Sequence, residues 1–293
     1  MILPLHDAAA AYDTCVQGIA NPITRSIYTA NRSGIIAANS TFDVASGTAT
    51  WALLPRVPRG NPGVFVSGTI TKQHLMDLYT DHMVGAVGAP RQIYDDILTA
   101  AKEICPSCGG LGQASTLDHF LPKANFPAHA VHPSNLVPCC RDCNTGKNAT
   151  FGATVHDQTL HPYLDGDHFF SQRWITASVH RLNPIVITFE CQPPPHWRPL
   201  DQNRARSHFT GYKIPSRFSV QSGAEVAKVA ELRAKSLHRL PIEDFREYLQ
   251  DNADTTDFVL NGWSRTMYAS LANTDWFIRT DFRDPSWHLK PLP

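Results

Sequence analysis

The apolar positions of the chain keep a helical rhythm toward both ends and lose it in the middle. Leu75, Leu78, Tyr79 and Met83 recur at helical spacing behind Thr71, an acceptable N-cap, and predict a helix that starts near Thr71. A second helix is predicted from Pro90, favoured in a first turn, through Ile93, Tyr94, Ile97, Leu98 and Ala101, delivering the chain to Cys105. Residues 1–70 carry less pattern. The stretch 7–17 is alanine-rich and suits a helix, after which Pro22, Ser33-Gly34, Gly47 and the segment PRVPRGNP at 55–62 are expected to interrupt any long element. From Cys105 to about Tyr163 the periodicity fades, and Cys, His, Asn, Gly and Pro dominate. Beyond it, 174–180 and 185–191 alternate loosely and hold β-branched residues on either side of RLNP, which predicts a β-hairpin. After a proline-rich connection at 192–200, helical spacing resumes over roughly 201–211, 221–238, 241–251 and 258–272.

Composition adds bounds to that pattern. At about 150 residues per domain, 293 residues suggest about two domains. A hydrophobic fraction of 42% with 18% charged residues belongs to a globular chain with a true core. Lys+Arg and Asp+Glu both number 26, so the chain has no overall basic signature of nucleic-acid binding, and any such surface must be local. No uncharged apolar run approaches the roughly 18 residues of a membrane span. The opening MILPLHDAAAAYD lacks a basic leader and meets Asp7 early, so no secretory signal is expected and the expected location is cytoplasmic. The fold class expected is α+β: a Cys/His/Asn module over 100–165, after a partly helical segment 1–99 and before a β-hairpin plus helical domain over 166–293.

Five of the seven cysteines, which are Cys15, Cys105, Cys108, Cys139, Cys140, Cys143 and Cys191, fall within 39 positions. An odd total without a leader argues against a disulfide framework. Cys105/Cys108 and Cys140/Cys143 form two Cys-x-x-Cys pairs with 31 residues between them. Two such knuckles can close a tetrahedral four-sulfur Zn²⁺ site, and metal binding would then supply the folding energy that so polar a segment lacks. A redox Cys-x-x-Cys disulfide is the weaker reading, because two pairs are present. Cys139 is expected to point away from the site in an extended chain, as a small buried hydrophobe. Gly109, Gly110 and Gly112 allow the tight turn of a knuckle.

Within the loop closed by the knuckles lie Asp118, His119 and Asn135, followed by Asn144 directly after the last cysteine and then Lys147. The order Asp-His, Asn, Cys-x-x-Cys-Asn-x-x-Lys resembles the HNH (ββα-metal) endonuclease family in its zinc-stabilised form, most strongly over about 100–165. HPY at 161–163, the helix RQIYDDI and the stretch NGWSRTMYASLA resemble features of a bacterial branch of that family associated with restriction and phage defence. The resemblance implies a strand ending in Asp118-His119, Asn144 on a following short helix, and Asn135 bracing the connecting loop and orienting His119. It also implies DNA as substrate, with RNA left open.

The residue types suit the chemistry. Phosphodiester hydrolysis needs a deprotonated water and charge stabilisation, and the oxygens of Asp118 and Asn144 are hard donors for Mg²⁺ or Mn²⁺. An imidazole with the ordinary pKa of about 6.5 can take a proton at neutral pH, which casts His119 as general base. Each residue also has a structural reading: His119 as a zinc ligand or buried histidine, Asp118 as a turn cap, Asn144 as a helix cap. Lys123, Arg141 and Lys147 are candidate phosphate contacts near the site. Farther on, Arg198, Arg204, Arg206, Lys213 and Arg217 stand against Asp201 alone, interleaved with His208, Phe209 and Tyr212, and single out Arg204 and Arg206 as candidate backbone contacts. The alternatives to a free-standing nuclease are a zinc-ribbon module that binds nucleic acid or protein without cutting, and an effector subunit that cuts only when licensed by a partner such as an ATPase or by a second copy in a homodimer.

Overall fold

Side-chain caps fix where the first helices begin. Asp7 Oδ1 accepts from the Ala10 amide at 2.8 Å and opens α1 (Ala8–Gln17). Asn21 Oδ1 accepts from the amides of Ile23 and Thr24, and Pro22 takes the first position of α2 (Pro22–Ala30), where its missing N–H costs no bond. The expected interruptions are thus only partly realised. Pro22 starts a helix, and Gly34 lies inside the 15-residue α3 (Arg32–Ser46). A Cβ at Gly34 would sit 2.0 Å from Ser67 Oγ, so the glycine lets β1 (Phe65–Ser67) pass close against the helix. β1 pairs antiparallel with β2 (Ile70–Thr71). Thr71 then caps α4 (Lys72–Tyr79): its Oγ1 accepts from the His74 amide while His74 Nδ1 accepts from the Thr71 amide. α4 runs on as a π-helical turn, Thr80–Val84, before α5 (Ala89–Thr99).

The computed structural model describes residues 6–147, 151–255 and 259–290. The chain divides into two compact units: residues 1–107 with 112–165, and residues 166–293 with the short stretch Cys108–Leu111. In the first unit β3 (Thr116–His119) pairs antiparallel with β4 (Leu136–Cys139), and β4 leads across a single residue into α6 (Arg141–Lys147). Apolar side chains on two sides hold this ββα element. Leu117 and Leu136 join a core with Tyr12, Ile35, Leu78 and Ile97 from the N-terminal helices, so those helices and the cysteine-rich segment share one interior. Val137, with Phe120 and Leu121 just after β3, joins a second core with Phe42, Trp51 and Phe126.

That second core is lined by histidines. The ring of His129 lies 5.4 Å from that of Phe42, and its Nδ1 lies 3.2 Å from Asn39 Oδ1. Burial pushes its pKa down to about 3. Between that value and the ordinary one near 6.5, the unfolded chain binds a proton that the folded chain refuses, so stability falls as pH drops through this window. The melting temperature of His129→Asn should therefore fall less steeply between pH 7 and pH 4.5 than that of the wild type. The difference between the two proteins is the measurement, since acid would release a thiolate-bound metal from both.

In the second unit α7 (His168–Ser171) precedes the predicted hairpin, found as β5 (Ile175–His180) and β6 (Val186–Cys191), antiparallel and in unbroken register from Ile175↔Cys191 to His180↔Val186. Helices complete it: α8 (Pro199–Gly211), α9 (Ile214–Lys235), α10 (Ile242–Asp254), α11 (Trp263–Ala272) and α12 (Asp275–Arg279). Phe189 of β6 meets Phe218 of α9 edge to face at 5.3 Å. Asn261 ties the start of the hairpin: its Oδ1 accepts from the amides of Trp174 and Ile175, and its Nδ2 donates to the carbonyls of Phe169 and Gln172. Both units mix helices with two-stranded sheets, an α+β fold. Among the described residues, no helix is long and apolar enough to cross a membrane.

Candidate active site and metal centre

Asp118 and His119 end β3, and the register Asp118↔Val137, His119↔Leu136 is regular. Exposure alternates along the strand: Leu117 and His119 are buried, Thr116 and Asp118 half-buried. The two candidate residues therefore project to opposite sides of the ribbon, without a bulge to bring them round. His119 Nε2 lies 2.9 Å from the carbonyl oxygen of Ala130. A carbonyl can only accept, so Nε2 carries the proton and Nδ1 carries the lone pair. The ring of Tyr79, at the end of α4, meets the imidazole edge to face at 4.4 Å. The Tyr79 pKa is raised, first by burial and in smaller part by Tyr94 and by the charge of Asp118, so this tyrosine senses one site residue and touches the other.

Asn135 is fully buried just before β4. Its Oδ1 accepts from the Leu121 amide at 2.7 Å, and its Nδ2 donates to the carbonyls of Leu121 at 3.2 Å and His129 at 2.9 Å. Its own carbonyl accepts from the Phe120 amide at 2.8 Å. One amide group thus spans the loop and fixes the peptide next to Ala130, whose oxygen holds His119. Asn144 is half-buried in the first turn of α6, its amide donating to the Cys140 carbonyl at 3.0 Å. Lys123 is half-buried, its Nζ 4.6 Å from the Tyr79 ring centroid and 3.4 Å from Thr80 Oγ1, and burial lowers its pKa. Arg141 is exposed at the start of α6, and the side chain of Lys147 lies outside the described residues.

The four paired cysteines converge. The sulfurs of Cys105, Cys108, Cys140 and Cys143 all lie within 4.8 Å of one another, and all four residues are buried. Tetrahedral zinc with bonds of about 2.3 Å sets its sulfurs about 3.8 Å apart, so the cluster can close on such an ion by a small contraction. The Cys143 amide donates to Cys140 Sγ at 3.5 Å, which favours a thiolate there. Gly109 and Gly110 take φ of +60° and +81° in the turn after the first knuckle. A Cβ at Gly112 would lie 2.7 Å from both Cβ and Sγ of Cys140. Gly112→Val should therefore displace a ligand and lower zinc affinity, read as faster metal release to a colorimetric chelator; release at the wild-type rate would show that the knuckle absorbs the side chain.

Three expectations need correction. Cys139 does not point away: its thiol is in hydrogen-bond reach of Cys105, which raises its pKa, and of Cys143. The chain turns at Cys140 into α6, so strand alternation no longer governs the side chain. Arg204 is only 1% exposed and cannot lie on a solvent-facing phosphate track. Arg198 is engaged by Asp201 through bonds of 2.8 and 2.9 Å, which leaves Arg206, exposed and 3.4 Å from Asn203 Oδ1 and Gln202 Oε1, as the outward member of the pair singled out on α8. His161 of the HPY triplet is fully buried, its Nε2 2.9 Å from the Ser134 carbonyl oxygen, and its ring stacks on Trp51 at 5.4 Å.

Sequence reasoning missed Tyr79 and Ala130 as parts of the site. Tyr79 was visible only as one apolar position among several in a helix, and Ala130 contributes a backbone atom that carries no side-chain signal.

The chain is thus an α+β protein with a buried four-cysteine cluster able to hold a metal ion such as zinc. It belongs to the family of protein ea31 of Escherichia phage lambda, to which it is 31% identical over 290 residues, covering 94% of this chain and 98% of that protein. No family model matches it, and no solved structure matches it significantly.

Proposed function

We propose that the chain is a metal-dependent endonuclease of the HNH type, hydrolysing phosphodiester bonds in DNA. The observation that carries this reading is the tautomer imposed on His119. With Nε2 committed to Ala130, Nδ1 is the basic nitrogen, and it belongs to a residue adjacent to the only carboxylate of β3. His119 Nδ1 accepts the proton of the attacking water. The imidazolium so formed still donates from Nε2 to the Ala130 carbonyl, which stabilises its charge. Asn135 keeps the 129–130 peptide in place and acts on the reaction only through His119. Asp118 and Asn144 offer one carboxylate and one amide oxygen, a hard-donor pair suited to Mg²⁺ or Mn²⁺. Such an ion, when bound, supplies charge neutralisation at the scissile phosphate. The cysteine cluster joins the two ends of the segment that carries all four residues. Arg141, Lys123 and Arg206 are the cations with described side chains that we assign to phosphate contacts.

The test is incubation of the purified full chain with supercoiled plasmid, with and without added Mg²⁺ or Mn²⁺. Nicked or linear product that depends on the added ion supports the reading. Retarded but intact plasmid under every condition replaces it with a non-cutting zinc-ribbon binder.

A further inference from the structure

Far along the sequence from the cysteine-rich segment, the second unit carries a cavity that no role above uses. It has a volume of about 150 Å³ and is lined by Arg181, Arg279, Lys290, Thr280 and the indole of Trp287. Two carboxylates also border it, and both are already neutralised. Asp281 is gripped by Arg283 through two bonds of 2.8 Å. Asp284 is bridged by Lys290 and accepts from the Ser286 amide and hydroxyl at 2.9 and 2.7 Å. The charge left over is positive. Arg279 is exposed and makes no hydrogen bond or ion pair among the described residues. Arg181 donates from Nη2 to the Trp287 carbonyl at 2.5 Å, while its Nε is buried without a hydrogen-bond partner. A buried donor left unmatched is unfavourable, and an anion seated beside it would match it.

The aromatic surroundings narrow the ligand further. Trp276 and Trp287 lie with planes 4° apart and centroids 6.1 Å apart, and Phe282 abuts Trp287 at 5.2 Å. The Arg181 guanidinium lies 6.0 Å from the Trp276 ring. Fixed guanidinium groups beside half-buried indoles make a pairing suited to a phosphate that carries a flat base, since the arginines take the oxygens and the indole takes the π-face. The volume admits a phosphate with part of its sugar and leaves the base at the rim, against Trp287.

We infer that the Arg181–Arg279–Trp287 cavity is a binding site for the phosphate of a nucleotide, either free or at a position along a single strand. This goes beyond the proposed nuclease reading and does not depend on it, because binding here needs none of the residues of the ββα element.

Isothermal titration of the full chain, in buffer without Mg²⁺, tests it with four probes: inorganic phosphate, thymidine, thymidine 5′-monophosphate and an eight-residue oligothymidylate. The expected order places thymidine 5′-monophosphate and the oligomer above inorganic phosphate, with thymidine weakest. Arg279→Ala, an exposed position, should weaken binding of the phosphate-bearing probes about tenfold or more. Trp287→Phe, which keeps an aromatic ring in the cluster, should weaken the nucleotide and leave inorganic phosphate unchanged. Tighter binding of the mononucleotide than of the oligomer assigns the site to free nucleotides, and the reverse assigns it to a strand. Equal affinity of inorganic phosphate and thymidine 5′-monophosphate, or unchanged affinity in Arg279→Ala, overturns the inference.

Discussion

His119→Ala is expected to cut supercoiled plasmid some 10²- to 10⁴-fold more slowly than the wild type, the usual range for loss of a general base. Bound zinc should stay at the wild-type level, because His119 is not among the clustered cysteine ligands. Stability should fall only modestly, since the imidazole contributes one hydrogen bond, worth about 1 kcal/mol, and an edge contact with Tyr79. His119→Gln separates two causes of inactivity. Its amide can still donate to the Ala130 carbonyl but offers no basic nitrogen, so it should fold like the wild type and remain as inactive as alanine. Nicking by either variant at the wild-type rate would remove His119 from the mechanism.

Cys140→Ser is expected to have the larger structural effect. Structural zinc contributes on the order of 10–16 kcal/mol to small zinc-dependent folds, far above the 5–15 kcal/mol stability of a typical domain once the other terms are counted. Losing one of four thiolates should therefore strip the metal and lower solubility. Elemental analysis and thermal melting read the two effects directly, and a variant with full metal content and an unchanged melt would refute a structural metal. Cleavage should vanish too. β4 passes into α6 through Cys140, so Cys139, Cys140, Cys143 and Asn144 occupy six consecutive positions, and whatever loosens the ligands loosens Asn144 with them.

Local signals read well from the sequence and tertiary ones did not. The Thr71 cap, Pro90 in the first turn of α5 and the two strands around RLNP depend on neighbours a few residues away, and each appears where the pattern placed it. The cysteine cluster was legible because ligand spacing is itself local. α3 was missed because Gly34 is read as a break, whereas its purpose is to admit Ser67 from 33 residues away. The misreading of Arg204 is instructive. Asp201, Arg204, Ala205 and His208 fall at the i, i+3, i+4, i+7 spacing of a buried helical face, and all four are buried. Charge was taken as a sign of exposure when periodicity already argued otherwise; the face is built around Asp201, which draws Arg198 and lies 3.7 Å from His168. Alternation correctly separated Asp118 from His119, but nothing in the sequence pointed to the Ala130 carbonyl.

The clamp formed by Asn261 bears on how this protein would age. Asn261 is followed by Gly262, the dipeptide most prone to deamidation through attack of the glycine nitrogen on the side-chain amide. In the folded chain that nitrogen donates to the Val259 carbonyl, and the Asn261 amide is held by four backbone partners, so the reaction is suppressed. An unfolded chain has no such protection. Conversion to aspartate there would replace a donor with a carboxylate facing the carbonyls of Phe169 and Gln172, so each excursion through the unfolded state risks a lesion that blocks the return.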